Sequence, residues 1–246
     1  MTEAALTDGS TRPRLSKERV LSAAVAIADR GGLPGLTIRS LAKELGAKPM
    51  SVYYYVASKD ELLDWLVDLV FEEIELPDPE GDWREEMRRR AVSARARLKQ
   101  HRWAIGLLES RTSPGPATLR HHDTVLACLR HAGFSLELTA HAYALIDSYV
   151  YGFALQEASL PFEGPEAVRE VAEPIMALMA SGAYPTMVEM ATDYYLQPGY
   201  DFGDEFDFGL ELVLDGLERR VRGTDRRTDA RTATARPSPP RGGQRS

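Results

Sequence analysis

The chain of 246 residues has a single cysteine, Cys128, and no asparagine. One thiol excludes a disulfide scaffold and any cysteine-based zinc site. Without asparagine there is no N-glycosylation acceptor. No uninterrupted apolar run reaches the ~18 residues of a membrane-spanning helix. Met1 to Ser16 hold no apolar stretch fit for a signal peptide. Alternating stretches bounded by hairpin turns are missing, and so are repeats of ~20–50 residues. What is present is 43% hydrophobic and 27% charged residues. That is the profile of a soluble globular protein with a core, long enough for one or two domains. A reducing, cytoplasmic setting is expected.

The formal net charge of −7 hides a division. Residues 1–59 carry +4, residues 60–218 carry −18 and residues 219–246 carry +7. A basic head on an acidic body suggests that only the head meets a polyanion. So small an excess also arises by chance, and charge alone does not decide it.

Residues 1–14 read as a flexible arm that carries Arg12 and Arg14. Residues 223–246 are Arg, Thr, Pro and Gly with almost no large apolar side chain, so a disordered tail is expected there. Between these ends the pattern is helical, and the class is all-α. Ser16 caps a helix whose apolar positions are Val20, Ala23, Ala24, Ile27 and Ala28, and Gly31-Gly32 stops it. Ser58 to Glu61 form a capping box ahead of Leu62, Leu63, Leu66, Leu69, Val70 and Ile74. Pro77, Pro79 and Gly81 break the chain and mark a boundary between domains at 15–75 and 76–222. Further helices are expected at 82–100, 103–110, 115–132, 136–159, 165–181, 186–195 and 205–222. The run Arg88-Arg89-Arg90 reads as a solvated face, with Glu85–Arg89 and Glu86–Arg90 as i,i+4 pairs.

Thr37 to Gly46, then Ala47 to Val56, read as two short helices about a tight turn. Ala42, Leu45, Val52 and Val56 bury the contact between them, leaving Lys48, Met50, Ser51, Tyr54 and Tyr55 outward. A short helix with a small, polar first turn suits the major groove of DNA. A generic helical hairpin has the same spacing.

Residues 15–75 resemble the N-terminal domain of the tetracycline-repressor (TetR) family of bacterial transcription regulators. The resemblance rests on Val20 to Ala24, Gly32, Leu36-Thr37, Arg39, Leu41-Ala42, Leu45-Gly46, Val52 to Val56 and Lys59 to Leu63. It continues through His101-Arg102, Gly133 to Glu137 and Phe208 to Leu212, which are similar to the family's ligand domain. The resemblance implies an all-α homodimer joined through a four-helix bundle. It implies a palindromic double-stranded DNA operator, and release by a small-molecule effector of unknown identity. It also implies DNA roles. Arg39 reaches a base edge, and Lys48, Pro49, Met50 and Ser51 face bases. Thr37, Ser40, Tyr53, Tyr55 and Lys59 hold phosphates, and Tyr54 lies near the DNA. Phosphate contacts position the protein, whereas base contacts read sequence.

In the ligand domain so implied, the candidate pocket residues are Arg90, Ala94, Trp103, Leu108, His122, Val125, Tyr143, Asp147, Tyr151 and Gln156. The tetracycline repressors coordinate a drug-bound magnesium through a histidine whose matching position is Leu108. A nearby acidic position matches Gln156. Leucine offers no ligand for magnesium, so recognition of a metal–drug chelate is not expected, and neither a metal nor a cofactor is. For dimerisation, Phe206, Leu210, Val213, Leu214 and Leu217 share one helix face. Gly209 and Gly216 would let a partner backbone come close. The same face also suits an ordinary intrachain core.

Catalytic patterns fail on context. Ser40-x-x-Lys43 lacks its companion motifs and lies in the helix-turn-helix. His121-His122-Asp123 has no zinc-helix spacing. Residues 31–35 are no phosphate loop, and residues 201–207 lack calcium-loop spacing. The expected role is a DNA-binding regulator and not an enzyme. The alternative is a helical small-molecule-binding or structural protein without specific DNA binding.

Overall fold

The computed structural model describes residues 14–108, 110–161, 164–179 and 182–234. Every regular element among them is helical. In chain order these are α1 (Lys17–Gly35), α2 (Ile38–Glu44), α3 (Pro49–Tyr53), α4 (Lys59–Glu73), α5 (Trp83–Gln100), α6 (Pro116–His131), α7 (Leu136–Ser159), α8 (Gly164–Met179), α9 (Pro185–Met190) and α10 (Glu205–Thr234). Short turns at Arg102–Ala104, Ala191–Tyr195 and Phe202–Asp204 connect them.

The helix ends follow from their capping chemistry. Ser16 accepts from Arg19 N, and α1 breaks at Gly32, where φ is 66°. Thr37 Oγ1 accepts from Ser40 N at 3.0 Å while Ser40 Oγ accepts from Thr37 N at 2.9 Å, a reciprocal cap on α2. Gly46 takes the turn between α2 and α3 at φ 61°, in the left-handed region that favours glycine. Ser58 Oγ accepts from Glu61 N, and Glu61 reaches back to Ala57 N at 2.7 Å.

The chain divides into two compact units, Met1–Glu73 with Gln100–Leu119 and Ile74–Lys99 with Arg120–Ser246. In the first, α1, α2 and α3 pack around Val20, Ala24, Leu41, Val52, Val56 and Leu66, all buried. The return of residues 100–119 to this unit has a visible cause. His101, buried, bonds Asp29 through Nδ1 at 2.8 Å and Glu73 through Nε2 at 3.1 Å. Trp103 Nε1 donates to the same Asp29 oxygen at 2.7 Å. Along α4, Asp64 accepts from Arg111 Nε at 2.6 Å. One turn on, Asp68 accepts from Thr118 N and Oγ1 at 2.8 and 2.9 Å. These carboxylates sit far in sequence from their partners, and no local pattern marks the pairing.

In the second unit, α7 and α10 pack through aromatics. Phe206 stacks on Tyr149 at 5.6 Å between ring centroids and meets Phe153 edge-on at 5.1 Å. Three expectations are corrected here. Phe206, Leu210, Leu214 and Leu217 are buried within the single chain, and Val213 is half-buried, so this face is mostly intrachain core. The apolar side chains that α10 leaves exposed are Phe208 and Leu212. Gly209 faces Tyr149 of the same chain and not a partner, since a Cβ there would collide with its hydroxyl. Finally, α10 runs on to Thr234, past the expected end at 222. Arg226, Arg227, Ala230 and Arg231 favour a helix, and no proline intervenes before Pro237. The expected arm lies outside the described residues except for Arg14, and the rest of the expected tail, from 235, lies outside them too.

Candidate DNA interface and ligand domain

The turn between α2 and α3 brings the expected DNA residues to one exposed region. Arg39, Lys48, Pro49, Met50, Ser51, Tyr53, Tyr54 and Lys59 are all exposed. Met50 at 76% and Tyr54 at 86% are large apolar surfaces left in water. Among the described residues Arg39 and Lys48 have no recorded ion-pair partner. Pro49 starts α3, where a missing N–H costs nothing. Two expected phosphate residues have prior engagements. Thr37 and Ser40 cap α2, and Ser40 Oγ also donates to Gly35 O at 2.8 Å.

Tyr55 is corrected. It is half-buried, and its hydroxyl donates to Leu15 O at 2.8 Å. α3 ends at Tyr53 and the chain turns before Tyr55, which rotates this ring inward. Two residues after Leu15, the Lys17 ammonium lies 3.6 Å over the Trp65 ring.

In the second unit the expected pocket residues split. Arg90, Asp147, Tyr143 and Tyr151 share one buried polar cluster. Arg90 is fully buried, its Nη1 2.6 Å from Asp147 Oδ1. Its Nε donates to His121 Nε2 at 2.9 Å. Burial works against the guanidinium charge, yet Asp147, with Tyr151 and Tyr143 beyond it, holds its pKa above the ordinary value. His121 goes the other way. Burial, then Arg90 and His122, lower its pKa to about 3, so it stays neutral and accepts. His122 meets the Tyr143 ring edge-on at 5.7 Å. Ala94 and Val125 are buried core.

The other expected pocket residues lie elsewhere. Trp103 and Leu108 belong to the first unit, and Gln156 is exposed. The arginine run of α5 is not one solvated face either. Arg88 and Arg89 pair with Glu85 and Glu86 three residues back, whereas Arg90 turns inward. Arg84, half-buried, bonds Glu211 and Asp215 of α10 at 2.7 and 2.6 Å.

Sequence reasoning missed one cavity of the second unit. It measures about 750 Å³ and is lined by α8, α9, the Ala191–Tyr195 turn and the start of α10. None of the expected pocket residues lines it. Its walls include Met176, Met187, Met190, Tyr195 and Tyr200. The available signal was the density of methionine and tyrosine from 176 to 200, which carries no polar motif. Burial, with the Glu205 carboxylate next, pushes the Tyr200 hydroxyl up to about 12.

A family model for tetR-family bacterial regulatory proteins matches residues 20–66, and one for the tetracyclin repressor-like C-terminal domain matches residues 76–221. This chain belongs to the tetR family. The HTH-type transcriptional repressor DrrR1 of Streptomyces coeruleorubidus is 38% identical over 216 residues, covering 84% of this chain and 78% of that one. The class E tetracycline repressor of Escherichia coli is 29% identical, covering 85% and 93%. Among solved structures, the TetR-family protein ActR of Streptomyces coelicolor in complex with actinorhodin matches with a TM-score of 0.69 and 29% identity, covering 85% and 99%. The chain is a TetR-family transcriptional repressor, with an N-terminal helix-turn-helix domain and a C-terminal helical domain. No helix among the described residues is long and apolar enough to cross a membrane.

Proposed function

We propose that this repressor binds a palindromic operator as a homodimer in the cytoplasm, and that a small molecule entering its C-terminal domain releases it. The observation that carries the reading is the exposed array on α2 and α3, where Arg39, Lys48, Met50 and Ser51 stand with no competing ion pair among the described residues. Arg39 donates to guanine O6 and N7, the commonest specific arginine contact. Met50 and Pro49 offer apolar contact to a thymine methyl group. Lys48 and Ser51 complete the base-facing set. Thr37, Ser40, Tyr53 and Lys59 hold phosphates, and Tyr54 lies against the backbone. Tyr55 supports the fold of the reading head and does not touch DNA. Dimerisation uses the exposed apolar side chains of α7 and α10, among them Leu145, Phe208 and Leu212. The protein works by binding and not by catalysis.

Release is a population shift. The effector favours a dimer whose two recognition helices no longer match major grooves about 34 Å apart. The test is selection of sheared genomic DNA on the purified protein at moderate salt, followed by sequencing. A shared palindrome, bound with a steep salt dependence, is the expected result. Enrichment without a common site would overturn the reading.

A further inference from the structure

The helix α10 changes sign along its length. Residues 205–218 hold five acidic residues and no lysine or arginine. Residues 219–234 hold six arginines, Arg219, Arg220, Arg222, Arg226, Arg227 and Arg231, against Asp225 and Asp229, a net charge of +4. The acidic half is answered within the fold. Arg84 holds Glu211, Asp215 and Glu218 at 2.7, 2.6 and 3.5 Å, and Arg88 also pairs with Glu211. Of the basic half, Arg222 pairs with Glu218 one turn back. Most of this half lies past residue 221, where the match to the family's C-terminal domain ends.

Packing ends where the basic half begins. Leu210, Leu214, Leu217 and Val221 are buried, three or four residues apart. Residues 222–234 contain no Leu, Ile, Val, Met or aromatic residue, so the sequence does not continue that row. At about 100° per residue, the six arginine positions fall within an arc of about 180° opposite Leu217 and Val221, and Asp225 and Asp229 fall outside it. Arg219, Arg220 and Arg222 are exposed. Like charges four apart, as at Arg222 and Arg226 or Arg227 and Arg231, weaken a helix. A cation complements the helix dipole only within the last turn. The spacing therefore gathers charge on one face at the expense of the helix, and a polyanion reverses that penalty. The chemistry of the face narrows the partner. A helix lying on a membrane needs an apolar side, and a protein interface needs aromatic or aliphatic anchors. This segment has neither. The phosphate backbone of a nucleic acid asks for positive charge alone.

We infer that the basic end of α10 binds the sugar–phosphate backbone of double-stranded DNA without reading its sequence, as a contact separate from the helix-turn-helix. Residues 60–218 carry a charge of −18 and repel a duplex, so this end is a second place where the chain admits one. The inference goes beyond the operator reading and depends neither on a palindrome nor on an effector.

The test uses the full chain and a labelled duplex of random sequence, read by fluorescence anisotropy between about 50 and 200 mM salt. One variant combines Arg226→Gln, Arg227→Gln and Arg231→Gln, and a second replaces the same three arginines with lysine. Both replacements keep a helix propensity close to that of arginine, and thermal melts check that each variant folds as wild type does. The glutamine variant should bind the duplex at least about tenfold more weakly at the lowest salt, and its plot of log affinity against log salt should be shallower by at least about 2. The lysine variant should match wild type, because phosphate neutralisation needs the charge and not the guanidinium fork. A glutamine variant with wild-type affinity and slope would overturn the inference, and so would a lysine variant as weak as the glutamine one. Vesicles of phosphatidylcholine and phosphatidylserine form the second arm. Binding to them that the glutamine variant loses, with duplex binding unchanged, would give the face to lipid and overturn the inference as well. Genomic selection repeated with the glutamine variant should return the same sites as wild type; altered sites would mean that this end reads sequence. The operator reading stands or falls on the wild-type palindrome, and this inference on the difference between variants.

Discussion

Removing either member of the Arg90–Asp147 pair should cost far more than removing both. The guanidinium is fully buried, and its carboxylate is 8% exposed at 2.6 Å. Asp147→Leu leaves a cation in the interior with His121 as its remaining recorded partner, and that ring is neutral. Breaking a buried pair in this way costs about 3–5 kcal/mol. For a chain of this size each kcal/mol moves Tm by about 2–4 °C, so a fall of roughly 6–20 °C is expected. Arg90→Met leaves a buried carboxylate and withdraws the donor from His121 Nε2. Its cost should be similar. The double variant Arg90→Met/Asp147→Leu removes both desolvation penalties and should lie within ~1 kcal/mol of wild type, or above it. The assay is urea unfolding at fixed protein concentration, analysed as a double-mutant cycle. Single variants each costing under ~1 kcal/mol, or a double variant equal to the sum of the singles, would refute the reasoning.

His121 makes the folded state sensitive to acid. Its pKa falls from the ordinary 6.5 to about 3 on folding. The unfolded chain therefore binds a proton that the folded chain refuses, and stability drops as pH falls from 6.5 towards 3. His121→Gln, which keeps an acceptor for Arg90, should flatten that slope in thermal melts at pH 7, 5.5 and 4.5. Arg39→Ala should cost about 1–3 kcal/mol of operator affinity and relax preference at one base pair; an unchanged base preference removes its role. Tyr55→Phe loses the bond to Leu15 O and should cost about 0.5–1.5 kcal/mol of stability. With the protein fully folded, its operator affinity should match wild type, and a loss of operator affinity would restore Tyr55 to the DNA.

The first unit was legible in the sequence because its signals are local. Caps at Ser16, Thr37 and Ser58, glycines at 32 and 46, and helical spacing of small apolar residues all act within a few positions. The exposed array of Arg39, Lys48, Met50 and Ser51 follows from the same register. Tyr55 was read as outward on a helix drawn to Val56, three residues past its end at Tyr53, where the chain turns and carries the Tyr55 hydroxyl to Leu15 O. The second unit was less legible because its decisive contacts are remote. Arg90 meets Asp147 across more than fifty residues, and no local pattern separates it from Arg88 and Arg89, which face carboxylates one turn away. Trp103 was assigned to the pocket because the Asp29 bond that draws it to the first unit spans 74 positions. The methionine–tyrosine chamber escaped notice because apolar lining and apolar core have the same composition.

The same ambiguity governs α10, and two glycines resolve it. Gly209→Ala places a methyl carbon against Tyr149 Oη and 2.7 Å from its ring. That ring is fixed by stacking on Phe206 and by donation to Phe206 O at 2.9 Å. Overpacking there should cost about 1–3 kcal/mol of stability. Gly216 has nothing within 4 Å of the added carbon. Within one chain Gly216→Ala should therefore stabilise α10, by up to ~1 kcal/mol of helix propensity. Gly216 lies on the stripe of Phe208 and Leu212, spaced four apart and both exposed. If that stripe is the dimer face, the new methyl sits between two chains, and the variant should dissociate more readily despite its better helix. Sedimentation across a dilution series separates the two effects from the thermal melt. A Gly216→Ala dimer that is as tight as wild type and melts higher would remove the stripe from the interface. Weaker association with an unchanged helical spectrum cannot arise inside one chain, because every intrachain effect of that substitution is favourable.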